Sequence, residues 1–174
     1  QIEVTLLEGK GKLVLTGILA ALVFVVTAFT KIPSPFAKDA YYHAGDSIIF
    51  LSALVLGAPV AAVVSGVGSF LSDLYLGFPV YMFATLIIKG IMGAIAGYFL
   101  YVPGGRPSWG RKILGVALAG LWMAVAYYVF EVYIIQIIDW RANIPNFLAN
   151  LGQAIVGILI FLPISKPLEK LKGI

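Results

Sequence analysis

The side chains able to do chemistry are few in this sequence, and most of them sit where a charge is costly to keep. From Tyr41 to Gly97 the only unambiguous charges are Asp46, Asp73 and Lys89. An ionised group deep in hydrocarbon costs about 3 kcal/mol on insertion scales, so each needs a partner or a wet cavity. Lys89 can take either aspartate as its partner. Mutual neutralisation is the structural reading of this trio, and a polar pocket within a membrane is the functional one. Glu131 has no obvious intramembrane cation apart from Lys89, which leaves water or a ligand to contact it. Asn146 and Asn150 stand four residues apart, on one helix face, with Gln153 one turn on. Amides both donate and accept, which suits a neutral polar ligand of mixed hydrogen-bonding character; interhelical bonding is the alternative use. Tyr127, Tyr128 and Trp140, together with Tyr41 and Tyr42, have two open readings: a stack for a flat ring, or an interfacial aromatic belt.

The remaining chemistry is mostly exclusion. His43 is the one histidine and there is no cysteine, so a multi-histidine or thiolate metal site is ruled out, and disulfides with it. A serine triad has a single candidate base and no recognised nucleophile beside it. The run Gly9 to Lys12 has neither the spacing nor the Ser or Thr of a phosphate-binding loop. No catalytic residue, metal or cofactor is expected. An intramembrane enzyme and a structural scaffold remain the readings of a different class.

The elements that must position these residues follow from composition. The chain has 174 residues, 61% hydrophobic and 11% charged, where soluble domains carry about 25% charged residues. This is an integral membrane protein. Since a crossing takes about 20 apolar residues, the expectation is one domain over residues 1–174, all-α, with six transmembrane helices in a single compact bundle. The spans read as Leu13 to Thr30, Asp46 to Leu56, Val60 to Leu76, Val80 to Tyr101, Ile113 to about Ile138, and Asn146 to Ile164. The first reads as a retained helix and not a signal sequence, and the second is short or extended upstream. Pro33 and Pro35 preclude a regular helix between Lys31 and Gly45, where Phe36, Tyr41 and Tyr42 suggest a structured lid. Gly57-Ala58-Pro59 and Gly77-Phe78-Pro79 read as turns, and Pro103 to Lys112 as a loop.

Six spans place both termini on one side. Lys10, Lys12, Arg106, Arg111, Lys112, Lys166, Lys170 and Lys172 fall on that side, against Lys31, Lys38 and Arg141 on the other, which predicts cytoplasmic termini. The net charge of +4 is absorbed by this bias and implies no nucleic acid. All strongly polar side chains of the spans then lie in the outer half or near the midplane. The expectation is a pocket opening outward above an apolar, small-residue inner half.

The pattern GDSIIFLSALVLGAPVAAVVSGVGSFLSDLYLG, followed by TLIIKGIMGAIAGY, resembles the substrate-binding S component of an energy-coupling factor (ECF) vitamin transporter, most closely the riboflavin-binding branch. The resemblance implies a protein of the prokaryotic plasma membrane that captures a vitamin from outside. Riboflavin would be the transported ligand, with hydroxymethylpyrimidine or pyridoxine as alternatives. Its partners would be a transmembrane coupling subunit and two ATP-binding-cassette ATPases, with lipid around it. The family's small-residue docking surface on the first span matches Gly17 and Ala21 here, as GxxxA in place of AxxxA. Ligand contacts are expected from Tyr41, Tyr42, Lys89, Tyr127, Glu131, Asn146, Asn150 and Gln153.

Overall fold

A computed structural model describes residues 9–37 and 40–171; the N-terminal flank before Gly9, and Lys38 and Lys172 of the charge balance, lie outside the described residues. Six α-helices form the bundle: α1 Lys10–Phe29, α2 Gly45–Leu56, α3 Ala58–Leu76, α4 Pro79–Leu100, α5 Trp109–Val129 and α6 Ile144–Leu171. Between α1 and α2 the proline-restricted segment makes a small antiparallel hairpin, β1 Ile32–Pro33 with β2 Tyr41–Tyr42, pairing Ile32 with Tyr42 and Pro33 with Tyr41. The lid is thus built on backbone pairing, extended by Ser34 N–H donating to the Ala40 carbonyl at 2.9 Å.

Five helices are long and apolar enough to cross a membrane. α2 is the exception. Its 12 residues span about 18 Å against a hydrocarbon thickness of about 30 Å, and Tyr41 and Tyr42 are strand, so it is short and not extended upstream. α5 leaves α geometry at Phe130–Ile134, where a π-helical turn replaces the continuous helix expected to Ile138. Such turns re-aim the side chains they carry.

Prolines account for the other boundary corrections. Pro59 and Pro79, expected in turns, lie in the first turns of α3 and α4, where a missing N–H costs nothing. α5 starts at Trp109, with the Ser108 hydroxyl accepting from Arg111 N–H at 3.3 Å, and α6 runs through Pro163 and Pro167 well past Ile164. Lys112 is therefore a helix residue, not a loop cation. It is buried, with its Nζ 2.5 Å from Glu169 Oε1 and 3.3 Å from Ser165 Oγ. The apolar inner half expected from the sequence is corrected by this pair, which both elongated helices bring inside.

α4 packs against α2, α3 and α5, while the mostly buried α2 packs against α1, α3, α4 and α6. The approach of α4 to α3 depends on small residues: a Cβ at Gly93 would stand 2.6 Å from the Ala61 carbonyl oxygen, and one at Gly97 would stand 2.5 Å from Ala58 Cα. Phe50, Met92, Val116 and Phe161 fill the core, while Ile18, Phe83, Ile87 and Leu159 point outward, as a lipid-facing surface requires. Gly17 and Ala21 lie on the exposed face of α1, with open space beside Gly17.

Candidate functional site

The site is organised by one face of α4. Tyr81, Thr85 and Lys89 recur every four residues and so align along the helix. Each meets a carboxylate from a different element. Lys89 Nζ lies 2.5 Å from Asp46 Oδ1 on α2, with Met123 Sδ at 2.8 Å. Thr85 faces Asp73 of α3 and shares a 2.9 Å hydrogen bond with the Tyr127 hydroxyl. A carboxylate only accepts, so a proton order running from Tyr127 to Thr85 to Asp73 satisfies all three. The Tyr81 hydroxyl donates to Glu131 Oε1 at 3.3 Å. Among the described residues, only Asp46 of the three acids has a cation.

Gln153 of α6 ties the hairpin to the bundle. Its Oε1 accepts from His43 N–H at 2.8 Å, and its Nε2 donates to the His43 carbonyl at 2.9 Å and to Asp46 Oδ2 at 3.1 Å. His43 Nδ1 accepts from Gly45 N–H at 3.1 Å, which puts the ring proton on the other nitrogen. Burial holds this imidazole down at about 4, with the positive charge of Lys89 adding to the effect and Asp46 opposing it. At neutral pH it is uncharged.

These groups border a cavity of about 270 Å³ under the hairpin, where α1, α3 and α5 end and α4 and α6 begin. Tyr41 and Phe78 close one wall, near-parallel at 26° and 6.4 Å apart, with the Lys31 ammonium 5.0 Å from the Tyr41 ring. Glu131 also lines the cavity, with the fully buried Asn143 beside its carboxylate. Glu131 Oε2 and both amide atoms of Asn143 are without hydrogen-bond partners, although Asn143 and Asn146 approach the carboxylate.

The family model for the ECF-type riboflavin transporter, S component, matches residues 10–170. The chain belongs to that family. This S component is a substrate-binding transporter subunit, not an enzyme, and such subunits bind a vitamin and work with a membrane coupling subunit and ATPases. It is 36% identical over 138 residues to an uncharacterized protein of Pyrococcus woesei, covering 79% of this chain and 88% of that one. It is 30% identical over 159 residues to the thiamine precursor transporter HmpT of Lactococcus lactis, covering 91% of this chain and 88% of HmpT. Among solved structures, FolT bound with folic acid superposes with a TM-score of 0.73 at 17% identity, over 91% of this chain and 95% of that one, a likeness of fold.

Seven of the eight ligand residues expected from the sequence line the cavity of this S component: Tyr41, Lys89, Tyr127, Glu131, Asn146, Asn150 and Gln153. Tyr42 does not. Successive strand residues point to opposite sides, and its phenol instead packs against Gly152 with the hydroxyl unpartnered. Tyr128 and Trp140 also lie outside the cavity, joined by a 3.0 Å bond from the Tyr128 hydroxyl to the Trp140 carbonyl. Asp73, weighed in the sequence as a pocket or ion-pair residue without a ligand role, also lines the cavity, while sequence reasoning missed Tyr81, Thr85, His43, Phe78 and Met123 as lining residues, along with Thr27 and Ser69. The four-residue spacing from Tyr81 through Thr85 to Lys89 was a usable signal for two of them. No spacing relates Phe78 or Thr27 to the rest.

Proposed function

We propose that this S component captures riboflavin from outside the cell, through the cavity beneath the hairpin, with both termini in the cytoplasm. The observation that carries the reading is the convergence of Tyr41, Tyr127, Asn146, Asn150 and Glu131 on one cavity. The family match over residues 10–170 supports the choice of vitamin. A flavin offers amide-like edges to Asn146 and Asn150, ribityl hydroxyls to Glu131 and a flat ring to the tyrosines. The basic residues on the terminal side support the orientation. Gly17 and Ala21 are the proposed docking surface for the coupling subunit.

Titration of flavin fluorescence with detergent-purified protein tests this. Loss of one partner of a buried polar group costs about 1 to 3 kcal/mol, or roughly five- to 150-fold in affinity. Asn150→Ala should weaken riboflavin within that range, and Glu131→Gln should cost less than Glu131→Ala. Wild-type affinity in both alanine variants would place the pocket elsewhere.

A second reading, capture of a hydroxymethylpyrimidine-type thiamine precursor, has two observations in its favour: the 30% identity to HmpT, and a cavity of about 270 Å³ that lies at the small end of ligand pockets, which run from about 300 to 1,000 Å³. Calorimetry with both compounds decides between them.

A further inference from the structure

We infer that Asp73 and Glu131 are charge-specificity residues: they make the cavity admit the free, neutral form of its ligand and refuse a phosphate ester or a carboxylate-bearing relative. The inference rests on the proposed reading of this cavity as the vitamin site, and it comes from unequal compensation of the three acids facing α4. Asp46 consumes the charge of Lys89, the one cation among the described residues that line the cavity, through the 2.5 Å contact, and Gln153 occupies its other oxygen. Asp73 and Glu131 border the same space with hydroxyls and amides around them and no cation of their own. His43, the remaining nitrogen base in the lining, already uses Nδ1 as an acceptor.

Among the described residues, no other Lys or Arg lines the cavity. Lys31 is outside the lining, its ammonium 5.0 Å from the Tyr41 ring centroid, and Arg141 stacks 4.8 Å from the Trp140 ring, also outside the lining. Counting Asp46 and Lys89 as a closed pair, the described residues of the lining offer an incoming ligand two carboxylates and no free cation. A phosphate ester brings about −1.5 to −2 charge at pH 7 and three acceptor oxygens. Inside a cavity walled by hydrocarbon, like charges are poorly screened and acceptors facing acceptors go unpaired. What the lone oxygen of Glu131 does fit is a donor: a hydroxyl, an amino group or a ring N–H.

The experiment compares two pairs of compounds on the purified protein: riboflavin against its 5′-phosphate, and hydroxymethylpyrimidine against its monophosphate. The phosphorylated member of the bound pair should be at least 100-fold weaker. In Asp73→Asn with Glu131→Gln, both near-isosteric and checked by thermal melting, that ratio should shrink by tenfold or more, chiefly because the phosphate form binds better. A free form and its phosphate binding alike in the wild type would overturn the inference and leave the vitamin reading standing. A ratio unchanged in the double variant, and in each single variant should the double one not fold, would overturn the assignment to these two residues. Binding of neither free compound would overturn the vitamin reading, and this inference with it.

Discussion

His43 stands where the hairpin, α2 and α6 meet, and its burial turns that junction into a pH-dependent contact. Its folded-state value of about 4 lies below the ordinary 6.5, so the neutral ring is the form that folding selects. The contribution is fully present above about pH 6.5 and is lost as pH falls from there toward 4. The melting temperature in detergent should therefore drop between pH 7.5 and pH 5. In His43→Asn, whose side-chain oxygen can still accept from Gly45 N–H, the drop should be smaller. Equal slopes for the two proteins would show that His43 is not the titrating group. The single histidine was visible in the sequence, and its place as an acceptor beside Gln153 was not, since the partners are 110 positions apart. Tyr41 and Tyr42 make the same point locally. One strand step separates a cavity wall from a packing residue, and composition treats the two alike.

Among the elements, α2 depends most on the others. Too short to cross alone, it is pinned by Asp46 to Lys89 of α4 and to Gln153 of α6, and a Cβ at Gly157 of α6 would stand 2.7 Å from Asp46 Cβ. Lys89→Met leaves a buried carboxylate without its cation, which typically costs about 3–5 kcal/mol. Its melting temperature should fall markedly, and adding Asp46→Asn should restore part of the loss. Single and double variants melting together would show that the ion pair does not hold α2. The C-terminal end of this helix was legible from Gly57 and Pro59, but the sequence left its start open between a short helix and one extended upstream, and the strand at Tyr41–Tyr42 decided it. The extents of α5 and α6 were not legible. A proline inside a helix normally ends or kinks it, yet α6 continues past Pro163 and Pro167 where Ser165 and Glu169 engage Lys112 across the bundle.

At the scale of the whole molecule, the cavity and the exposed face of α1 carrying Gly17 and Ala21 are separate surfaces, so coupling and capture can be lost independently. Gly17→Leu or Ala21→Leu should abolish assembly with the coupling subunit, measured by co-purification, and with it uptake. Affinity of the isolated protein for its vitamin should stay within about twofold. Lost affinity with assembly intact would reverse the assignment. The membrane character, the all-α bundle and the amide face of α6 were determined by the sequence alone, because hydrocarbon thickness and the helical repeat are local constraints on composition and spacing. The tertiary structure alone decided which aspartate took Lys89, that Asp73 was left facing the cavity with a hydroxyl, and that Lys112 and Glu169 became a buried pair. Each of these depends on how far one helix slides and turns against another. That register is set by close contacts such as Gly93 on Ala61, between residues far apart in the chain, and helical periodicity carries no information about it.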